Sequence, residues 1–451
     1  MMVEELSRLY TTNLSLEDEM LDILKVQAKK AAELVEKSDF VRIFTHFDAD
    51  GISAGAIIAK SLLRIGKPFH LRFLKGLNEK VEYESDELVV LADMGSGYPD
   101  VVSEIDADVI IIDHHIPVKK IDPSREFVHI NPHLAGLDGT YELSASGTAY
   151  IFANAIGNNV DLSSIAIIGV IGDKQKIVGG NAEIVKEGKA NGFIEEKTGL
   201  NLCSGKVRDA LKYSLEPFLD FYEKEGELEE FLRKIKIEGD KEIDELSLEE
   251  INILANAIVL RLLKIGAYEG VIDEFVGKKL ILKNELISNA FMLTDVVNSC
   301  GRAAEMSIGL AICLRDKNYL EKGLEIWRRY RIDVLNEIQK WRDEVKDSFC
   351  MRYLVMEDAL STSPIATALS RYIYADKPLI VVNIKNGMAK VSARSNARLA
   401  EKIDLAEVMR LAAERVGGRG GGHKVAAGAN IEPEVVEEFL KEVDRLCCMQ
   451  G

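Results

Sequence analysis

The 451-residue sequence predicts an α/β protein with a parallel-sheet N-terminal domain, a helical insertion and a smaller C-terminal α/β domain joined by a long helix. Two observations lead to this fold class. Short apolar runs alternate with amphipathic segments in the first part of the chain, which is typical of βαβ units around a parallel sheet. A long, mainly helical stretch then separates this part from a second region in which strand patterns return.

The strands of the N-terminal domain are predicted from short runs rich in Val, Ile, Leu and Phe. These runs are 41–45, 69–73, 88–92, 109–112 and 127–130. Apolar residues at helical spacing predict a helix over 53–65. In open parallel sheets, ligands bind beyond the carboxyl ends of the strands. We therefore expect the functional residues of this domain just after its strands.

The remaining chain is divided by its periodicity. From 163 to 351 the pattern is almost wholly helical, with long helices predicted over 246–264 and 319–345. Asn386-Gly387 between two strand patterns predicts a β-hairpin over 378–393. The predicted domains are 1–190 for the parallel-sheet domain, 191–315 for the helical, partly acidic insertion, 316–350 for the connecting helix and 351–451 for the C-terminal domain.

Composition narrows the class of protein. Hydrophobic residues make up 47% and charged residues 29%, which is typical of a globular protein. No apolar run approaches the roughly 18 residues that cross a bilayer, and the first residues lack a signal-peptide core. Six cysteines without a C-x-x-C pair favour buried thiols rather than a disulfide framework. We therefore expect a cytoplasmic protein that does not associate with membranes.

Charge is unevenly distributed along the chain. The net charge of −17 argues against binding to nucleic acid, which requires clustered Lys and Arg. Residues 351–430, however, hold 12 basic against 7 acidic residues, whereas 216–250 hold 14 acidic against 5 basic residues. The C-terminal region is therefore expected to attract anions and the acidic segment to repel them.

Acidic residues and histidines follow several of the predicted strands and one apolar run. They form four clusters: His46-Phe-Asp48-Ala-Asp50, Asp93, Asp113-His114-His115 and Asp173. Each cluster alone has an ordinary interpretation as a helix cap, an Asx turn or surface residues. Together they lie where the predicted fold would bring them to one edge of the sheet. Four Asp and one or two His suit two divalent ions, with Mn²⁺ preferred and Mg²⁺ an alternative, which can share a bridging hydroxide and hold a phosphoryl group.

A glycine-rich segment over 417–428 contains Arg419 and His423. One interpretation is a flexible loop without a specific role. The other is a phosphate-binding segment, because glycines expose backbone N–H groups and His and Lys follow them. The segment lacks the Gly-Lys-Ser/Thr ending of a P-loop.

The N-terminal motifs resemble those of the DHH-family phosphoesterases, named for the sequence that stands here as Asp113-His114-His115. The resemblance implies that the metal ligands are Asp48, Asp50, Asp93, His114 and Asp173, with Asp93 bridging. It also implies that His115 contacts the phosphate and assists the leaving group, while Asp113 orients the histidines. Some branches have a metal-binding His four residues before the first motif Asp, where this chain has Phe44. His46 is therefore either a compensating ligand or a residue that only lines the site.

The C-terminal motifs resemble those of the DHH-associated domain. They are Ser392-Ala-Arg394-Ser395 and the Gly-Gly-Gly-His…Ala-Ala-Gly string that ends at Gly428. The resemblance implies that this domain binds substrate through Arg394, Ser395, Gly421, Gly422 and His423. Arg394 can bind a phosphate through two hydrogen bonds.

The helical stretch between the two domains resembles the layout of archaeal RecJ-like nucleases, including the GINS-associated nuclease. This implies a metal-dependent exonuclease of single-stranded DNA or RNA, linked to DNA replication or repair, with GINS or a helicase as a possible partner. The acidic segment is then either a partner-binding surface or a solvated appendage. Two other functions stay open: an oligoribonuclease or short-oligonucleotide phosphodiesterase, and a non-catalytic scaffold subunit of a replication complex. A preference for DNA or RNA, and the polarity of degradation, leave no motif.

Overall fold

The computed structural model describes the backbone of residues 2–79 and 81–451 and the side chains of 18–79, 81–272, 275 and 277–451. The chain forms two compact units, and each is assembled from two separate segments. The first unit comprises Met1–Lys197 and Lys279–Trp327, and the second comprises Thr198–Lys278 and Arg328–Gly451. The segment predicted as an insertion, 191–315, thus contributes residues to both units.

The strands are β1 Val41–His46, β2 Phe69–Leu74, β3 Leu88–Ala92, β4 Asp108–Ile112, β5 Phe127–Ile130, β6 Ile194–Leu200, β7 Val276–Leu282, β8 Lys346–Asp347, β9 Arg352–Glu357, β10 Leu379–Lys385, β11 Met388–Arg394, β12 Arg419–His423 and β13 Ala426–Ile431. The helices are α1 Met2–Lys37, α2 Ala49–Arg64, α3 Pro99–Ser103, α4 Pro132–Ala135, α5 Ala145–Ile156, α6 Ser163–Gly172, α7 Gly179–Ala190, α8 Val207–Lys212, α9 Glu225–Ile235, α10 Leu248–Ile265, α11 Gly270–Phe275, α12 Ala290–Arg302, α13 Met306–Cys313, α14 Leu320–Trp341, α15 Ser363–Tyr372, α16 Ala397–Ala400, α17 Leu405–Arg415 and α18 Val436–Gln450.

A parallel five-stranded sheet in the order β2-β1-β3-β4-β5 forms the centre of the first unit. All five predicted strands are confirmed, and no end differs by more than one residue. Alternate side chains of β3 enter two different buried clusters, Val90 one and Leu91 the other. Burial on both faces explains why these strands appear in the sequence as continuous apolar runs.

The second unit contains a six-stranded mixed sheet in the order β12-β13-β11-β10-β9-β8. The predicted hairpin is confirmed as β10 and β11, with Asn386 and Gly387 both at positive φ in the turn. Residues of α17 and α18 cover one face of the sheet, as in the buried cluster of Met409, Phe439 and Val391. Residues of α15 belong to the cluster that includes Val381, on the other face.

The predicted long helices are confirmed as α10 and α14, each a few residues shorter or shifted. The stretch from 163 to 351 also contains strands, because β6 and β7 pair in a two-stranded sheet and β8 joins the larger sheet. The sequences of β6 and β8 are mostly polar or charged, so apolar periodicity gave no sign of them. Hydrogen bonding forms these strands instead, between β6 and the distant β7 and between β8 and the neighbouring β9.

The acidic segment 216–250 is more than the solvent-facing appendage that its charge suggested. Phe218, Phe221, Leu228 and Leu232 are buried in the core of the second unit. Its acidic residues alternate with these apolar ones, so one side of the segment faces the core. The segment therefore stabilises the second unit through its buried apolar residues and carries its negative charge on the solvent-exposed side.

The expectation of free thiols alone is corrected by one disulfide. Cys350, just before β9, is bonded to Cys448 in α18 across a sequence separation of 98 residues. The other four described cysteines, Cys203, Cys300, Cys313 and Cys447, are buried thiols outside this disulfide. Their spacing could not reveal the pair, since a disulfide requires proximity in space and not in sequence.

Within the described residues, no helix is both long and apolar enough to cross a membrane.

Candidate metal centre and substrate surface

Three adjacent strands deliver the predicted metal-binding residues to one edge of the first sheet. His46 ends β1, Asp93 follows β3, and Asp113 follows β4. Because β1, β3 and β4 are neighbours and run parallel, their carboxyl ends lie side by side. Asp173 reaches the same site from the carboxyl end of α6.

Asp93 lies between two histidines. Its Oδ2 is 3.4 Å from Nδ1 of His46, and its Oδ1 is 3.4 Å from Nε2 of His114. The residue is 4% exposed and has a φ of 55°, which is uncommon for a residue with a side chain. Oδ1 is buried and accepts no hydrogen bond from the described residues. A buried carboxylate oxygen in this state is destabilising unless a donor or a cation satisfies it.

The first group of potential ligands consists of His46, Asp48 and Asp93, whose ligand atoms lie within 4.8 Å of one another. Oδ1 of Asp48 accepts a hydrogen bond from the Gly51 N–H and caps α2, while Oδ2 lies 2.9 Å from Nδ1 of His46. Asp50 lies two residues further on, in the first turn of α2. The two carboxylates therefore serve different groups.

The second group consists of Asp50, His114 and Asp173, again within 4.8 Å. Asp50 accepts hydrogen bonds from the backbone N–H groups of Ala145, at 2.8 Å, and Ser146, at 2.9 Å. These groups open α5, where a helix favours a negative charge. Gly169 of α6 permits this packing, because a Cβ there would lie 2.1 Å from Oδ1 of Asp50.

A hydrogen bond to the backbone fixes the orientation of the His114 ring. Its Nδ1 donates to the carbonyl of Gly139 at 2.7 Å, so Nε2 faces Oδ2 of Asp173 at 3.2 Å. Gln175 donates to the same carbonyl at 2.7 Å, and Asn181 donates to Gln175. The sequence patterns did not identify this supporting layer. Only the Ser144 cap signal before α5 is visible in the sequence, and it does not point to Asp50.

Charge in this site is poorly balanced by protein groups alone. Burial and the nearby Asp93 raise the pKa of Asp50 to about 6. Burial and the neighbouring Asp50 raise the pKa of Asp173 well above its ordinary value. Burial alone would lower the pKa of His114, but the surrounding carboxylates outweigh it and raise this pKa. The raised pKa values reflect repulsion between neighbouring carboxylates. Bound divalent cations would relieve the same repulsion, and carboxylate and imidazole donors suit Mn²⁺ or Mg²⁺.

Asp113 is hydrogen-bonded to His115, whose ring also forms a third group of potential ligands with Asp93 and His114, again within 4.8 Å. Oδ1 of the fully buried Asp113 accepts hydrogen bonds from Nδ1 of His115 at 2.7 Å and from the His114 N–H at 2.8 Å. Asp113 therefore contacts the ring of only one histidine. Burial lowers the pKa of His115, but Asp113 more than compensates and raises it to about 9. His115 is half-exposed, and its ion pair with Asp113 favours the protonated imidazole, which can donate a proton.

The predicted substrate-binding residues lie in the second unit. Arg394 ends β11 and donates to Oγ of Ser363 at 2.7 Å and to Oγ1 of Thr367 at 3.3 Å, both on α15. The glycine-rich segment forms β12 and β13 rather than a flexible loop, and β12 is an edge strand. Gly421, Gly422 and His423 all belong to this edge strand.

Strand register places several of these residues on one face of the sheet. Ala426 of β13 pairs with Arg394 on one side and with His423 on the other. Because side chains alternate along a strand, Gly421 lies on this face and Gly422 on the opposite one. The Ser395 N–H donates to the carbonyl of Val425, next to the same row.

Comparison with known protein families finds one family profile that matches a segment of each unit. The profile of the DHH family, N-terminal domain, matches residues 40–170, and that of the DHHA1 domain matches residues 348–448. An uncharacterized protein of Methanocaldococcus jannaschii is 32% identical over 443 residues, covering 95% of this chain and 98% of that protein.

Two further proteins share the fold. The single-stranded-DNA-specific exonuclease RecJ of Thermus thermophilus is 24% identical over 295 residues, which cover 60% of this chain and 42% of RecJ. Its crystal structure with Mn²⁺ has a TM-score of 0.60 at 19% identity, covering 94% of this chain and 55% of that one. The structure of CDC45 from Entamoeba histolytica has a TM-score of 0.63 at 12% identity, covering 96% and 99%.

Proposed function

The chain belongs to the DHH family and is RecJ-like, and from this premise we propose that it is a metal-dependent exonuclease of single-stranded DNA or RNA. The fold and the acidic clusters support the coarser function of a metal-dependent phosphoesterase. One observation carries the proposal: Oδ2 of Asp93 lies 3.4 Å from Nδ1 of His46, in the first group, and Oδ1 lies 3.4 Å from Nε2 of His114, in the second.

Each group has residues that would hold one cation. His46, Asp48 and Asp93 would bind the first, and the second would be bound by Asp93 together with the residues Asp50, His114 and Asp173. When bound, two divalent ions would polarise the phosphoryl group and lower the pKa of an attacking water. The buried Oδ1 of Asp93, which accepts no hydrogen bond from the described residues, and the crowded carboxylates support this assignment. Mn²⁺ and Mg²⁺ are both proposed, since crystal structures of RecJ contain either ion.

His115 would serve the leaving group. In hydrolysis, the water oxygen bonds to phosphorus, the bond from phosphorus to the leaving oxygen breaks, and that oxygen takes up a proton. The protonated, half-exposed imidazole of His115 can supply this proton, while Asp113 holds the ring and stabilises its charge. Arg394, Ser395 and the Gly421–His423 segment would bind the rest of the substrate.

The choice of nucleic acid as substrate rests on the named activity of RecJ and on the basic C-terminal region. The chain spans 42% of the length of T. thermophilus RecJ, so the activity, substrate and partners of the whole RecJ protein are carried over only as a proposal. The same proposal includes a cytoplasmic location and a role in replication or repair, with GINS or a helicase as partner.

Degradation of end-labelled oligonucleotides tests the proposal. Single-stranded DNA and RNA of the same sequence would be incubated with Mn²⁺, Mg²⁺ or a chelator, beside a blunt duplex as control. We expect shortening of one or both single strands with metal, and none with chelator. Absence of cleavage of either single strand with both ions would contradict a nuclease function.

A second candidate is a non-catalytic scaffold subunit, which the similarity of fold to CDC45 favours. In that case the protein would bind a replication partner but cleave neither strand. An oligoribonuclease would instead cleave dinucleotides at least as fast as longer strands. The retention of all the potential metal ligands in one site favours an enzyme over a scaffold.

A further inference from the structure

The sheet face that carries Arg394 and His423 continues into a second basic row. Lys390 of β11 pairs with Asn430 of β13, and Asn430 pairs with Arg419 of β12. Lys390 lies four residues from Arg394, and Arg419 lies four residues from His423. Side chains four residues apart on a strand share a face, so both rows border the same surface.

Between the two rows lies a third row, in which Ser392 is buried and shares a hydrogen bond with Thr362 at 2.7 Å, while the other two positions are glycines open to solvent. It is the row formed by Ser392, Gly428 and Gly421, which pair across the same three strands. A Cβ on Gly421 would meet no atom within 4 Å, and one on Gly428 would meet only a backbone oxygen. An open cavity of about 360 Å³ lies here, lined among others by Lys390, Arg419 and the two glycines.

The charge of this surface is favourable for a polyanion. The three rows hold nine residues, none of them acidic: Arg394, Ala426, His423, Ser392, Gly428, Gly421, Lys390, Asn430 and Arg419. Lys390, Arg419 and Asn430 are exposed. Glycine allows a ligand backbone to approach closely, and Arg and Lys bind its phosphates.

We propose that Lys390 and Arg419 form a second phosphate subsite, so that this surface, hereafter the trough, binds a chain of several nucleotides. The two basic rows are four residues apart, about 14 Å along the strands, which is too far for one phosphate to contact both. The trough therefore selects an oligonucleotide over a mononucleotide or a dinucleotide. This inference rests on the proposed nuclease function and specifies its substrate.

The salt dependence of binding tests the trough. A fluorescent 12-residue oligothymidylate would be titrated into the full-length protein, with chelator present to prevent cleavage, at several salt concentrations. The logarithm of the affinity for a single strand falls linearly with the logarithm of the salt concentration, with a slope of about −0.7 for each neutralised phosphate. Because the two side chains form one phosphate subsite, the double variant Lys390→Gln/Arg419→Gln should reduce the slope by about 0.7 and weaken binding at low salt by at least about tenfold.

A matched control removes two other positive charges, on the helices that cover the opposite face of the sheet. Arg410 on α17 and Lys441 on α18 are exposed and pair with Glu414 and Glu437. The variant Arg410→Gln/Lys441→Gln should keep the slope of the unmodified protein. Equal slopes for all three proteins, or equal losses in both variants, would overturn the second subsite.

A failure of the nuclease proposal would give a different experimental result. In that case the unmodified protein would shorten neither single-stranded DNA nor RNA with Mn²⁺ or Mg²⁺, whether or not it binds them. If it shortens either strand and the Lys390→Gln/Arg419→Gln variant binds with unchanged slope, the nuclease proposal stands and the trough alone is wrong.

Discussion

Oδ1 of Asp93 lies 3.4 Å from Nε2 of His114 and accepts no hydrogen bond from any described residue. The Asp93 carboxylate and the His114 imidazole thus face one another in a buried site, and a bound cation would give each of them a ligand bond. Removing Asp93 should therefore have consequences for activity and for metal-dependent stability that can be separated.

Asp93→Ala should lower nuclease turnover by at least about 10²-fold, since even partners outside the ligand set commonly contribute that much. In chelator the variant should melt no earlier than the unmodified protein, because it loses one of several crowded carboxylates. Mn²⁺ at a hundred times its dissociation constant stabilises a folded protein by about 2.7 kcal/mol, and this gain should be lost in the variant. Thermal melting with and without Mn²⁺ measures it. Near-normal turnover in Asp93→Ala would contradict the two-metal assignment.

Arg394→Ala and His423→Ala should raise the KM for single strands while leaving Mn²⁺ affinity unchanged. A charged hydrogen bond contributes about 1.5–3 kcal/mol, so each KM should rise by roughly 10- to 100-fold. Calorimetric titration with Mn²⁺ gives the metal affinity. Arg394→Lys is the matched control for charge, and it should recover only part of the loss because Lys cannot form the forked contact. A loss of Mn²⁺ affinity would contradict the division of roles.

The outer side of the acidic segment should bind a protein partner and not the substrate. Its exposed acids include Glu238, Glu242, Glu245 and Glu249. Changing all four to Gln should leave cleavage of short oligonucleotides within about twofold, because like charge repels a nucleic acid strand from this surface. The same change should weaken capture of a replication partner in a pull-down. Lost cleavage with retained capture would place the segment in the substrate path.

Deletion of 216–250, by contrast, should prevent the second unit from folding. The segment buries Phe218, Phe221 and Leu228, and loss of a single buried Phe alone costs about 3–5 kcal/mol. We expect the deleted protein to lose its cooperative thermal transition or to become insoluble. A deletion variant that melts as sharply as the full chain would show that these contacts do not stabilise the unit.

Asp161 should make the first unit sensitive to acid. Burial alone would raise its pKa, but Arg64 and Arg315, at 2.8 and 2.7 Å, lower it to about 2. A carboxyl with a depressed folded-state pKa contributes stability above its unfolded pKa of about 3.9 and loses it as the pH falls toward 2. With solvent screening, the contribution is about 1–2 kcal/mol at neutral pH.

Asp161→Asn should therefore lower the free energy of unfolding by about this amount at pH 7 and flatten its decline between pH 4 and 2. Urea melts across that range measure both effects. Asp106→Asn breaks an exposed ion pair with Arg125 and should change little. Equal effects of the two substitutions would contradict the special role of Asp161.

The sequence predicted the first sheet well because its strands are buried on both faces. Continuous runs such as 109–112 admit few other interpretations, and parallel order places His46 and Asp93 at a common edge. The family motifs then indicated the ligand residues. Their two groupings required coordinates, because the pairing of Asp50 with the start of α5 joins segments almost a hundred residues apart.

Other features were hidden because local propensity opposed them. Glycines disfavour strands, yet 419–423 form one because β13 pairs with them. That register also places Lys390 and Arg419 on either side of Asn430, an arrangement that no spacing along the sequence indicates. Cys350 and Cys448 were missed for the same reason. Each of these contacts depends on the tertiary fold.

The interleaving of the two units has a consequence for biosynthesis. Residues 279–327 complete the first unit, although 198–278, which precede them, belong to the second. During translation, the first unit must therefore wait for more than a hundred residues beyond Lys197 before it can finish folding, at about 5–20 residues per second. Until then α2 and α6 lack their packing against α12 and α13, so a ribosome-associated chaperone should find its longest-lived target in chains of 198–327 residues. For the same reason, neither unit can be expressed alone by cutting the gene at a single point.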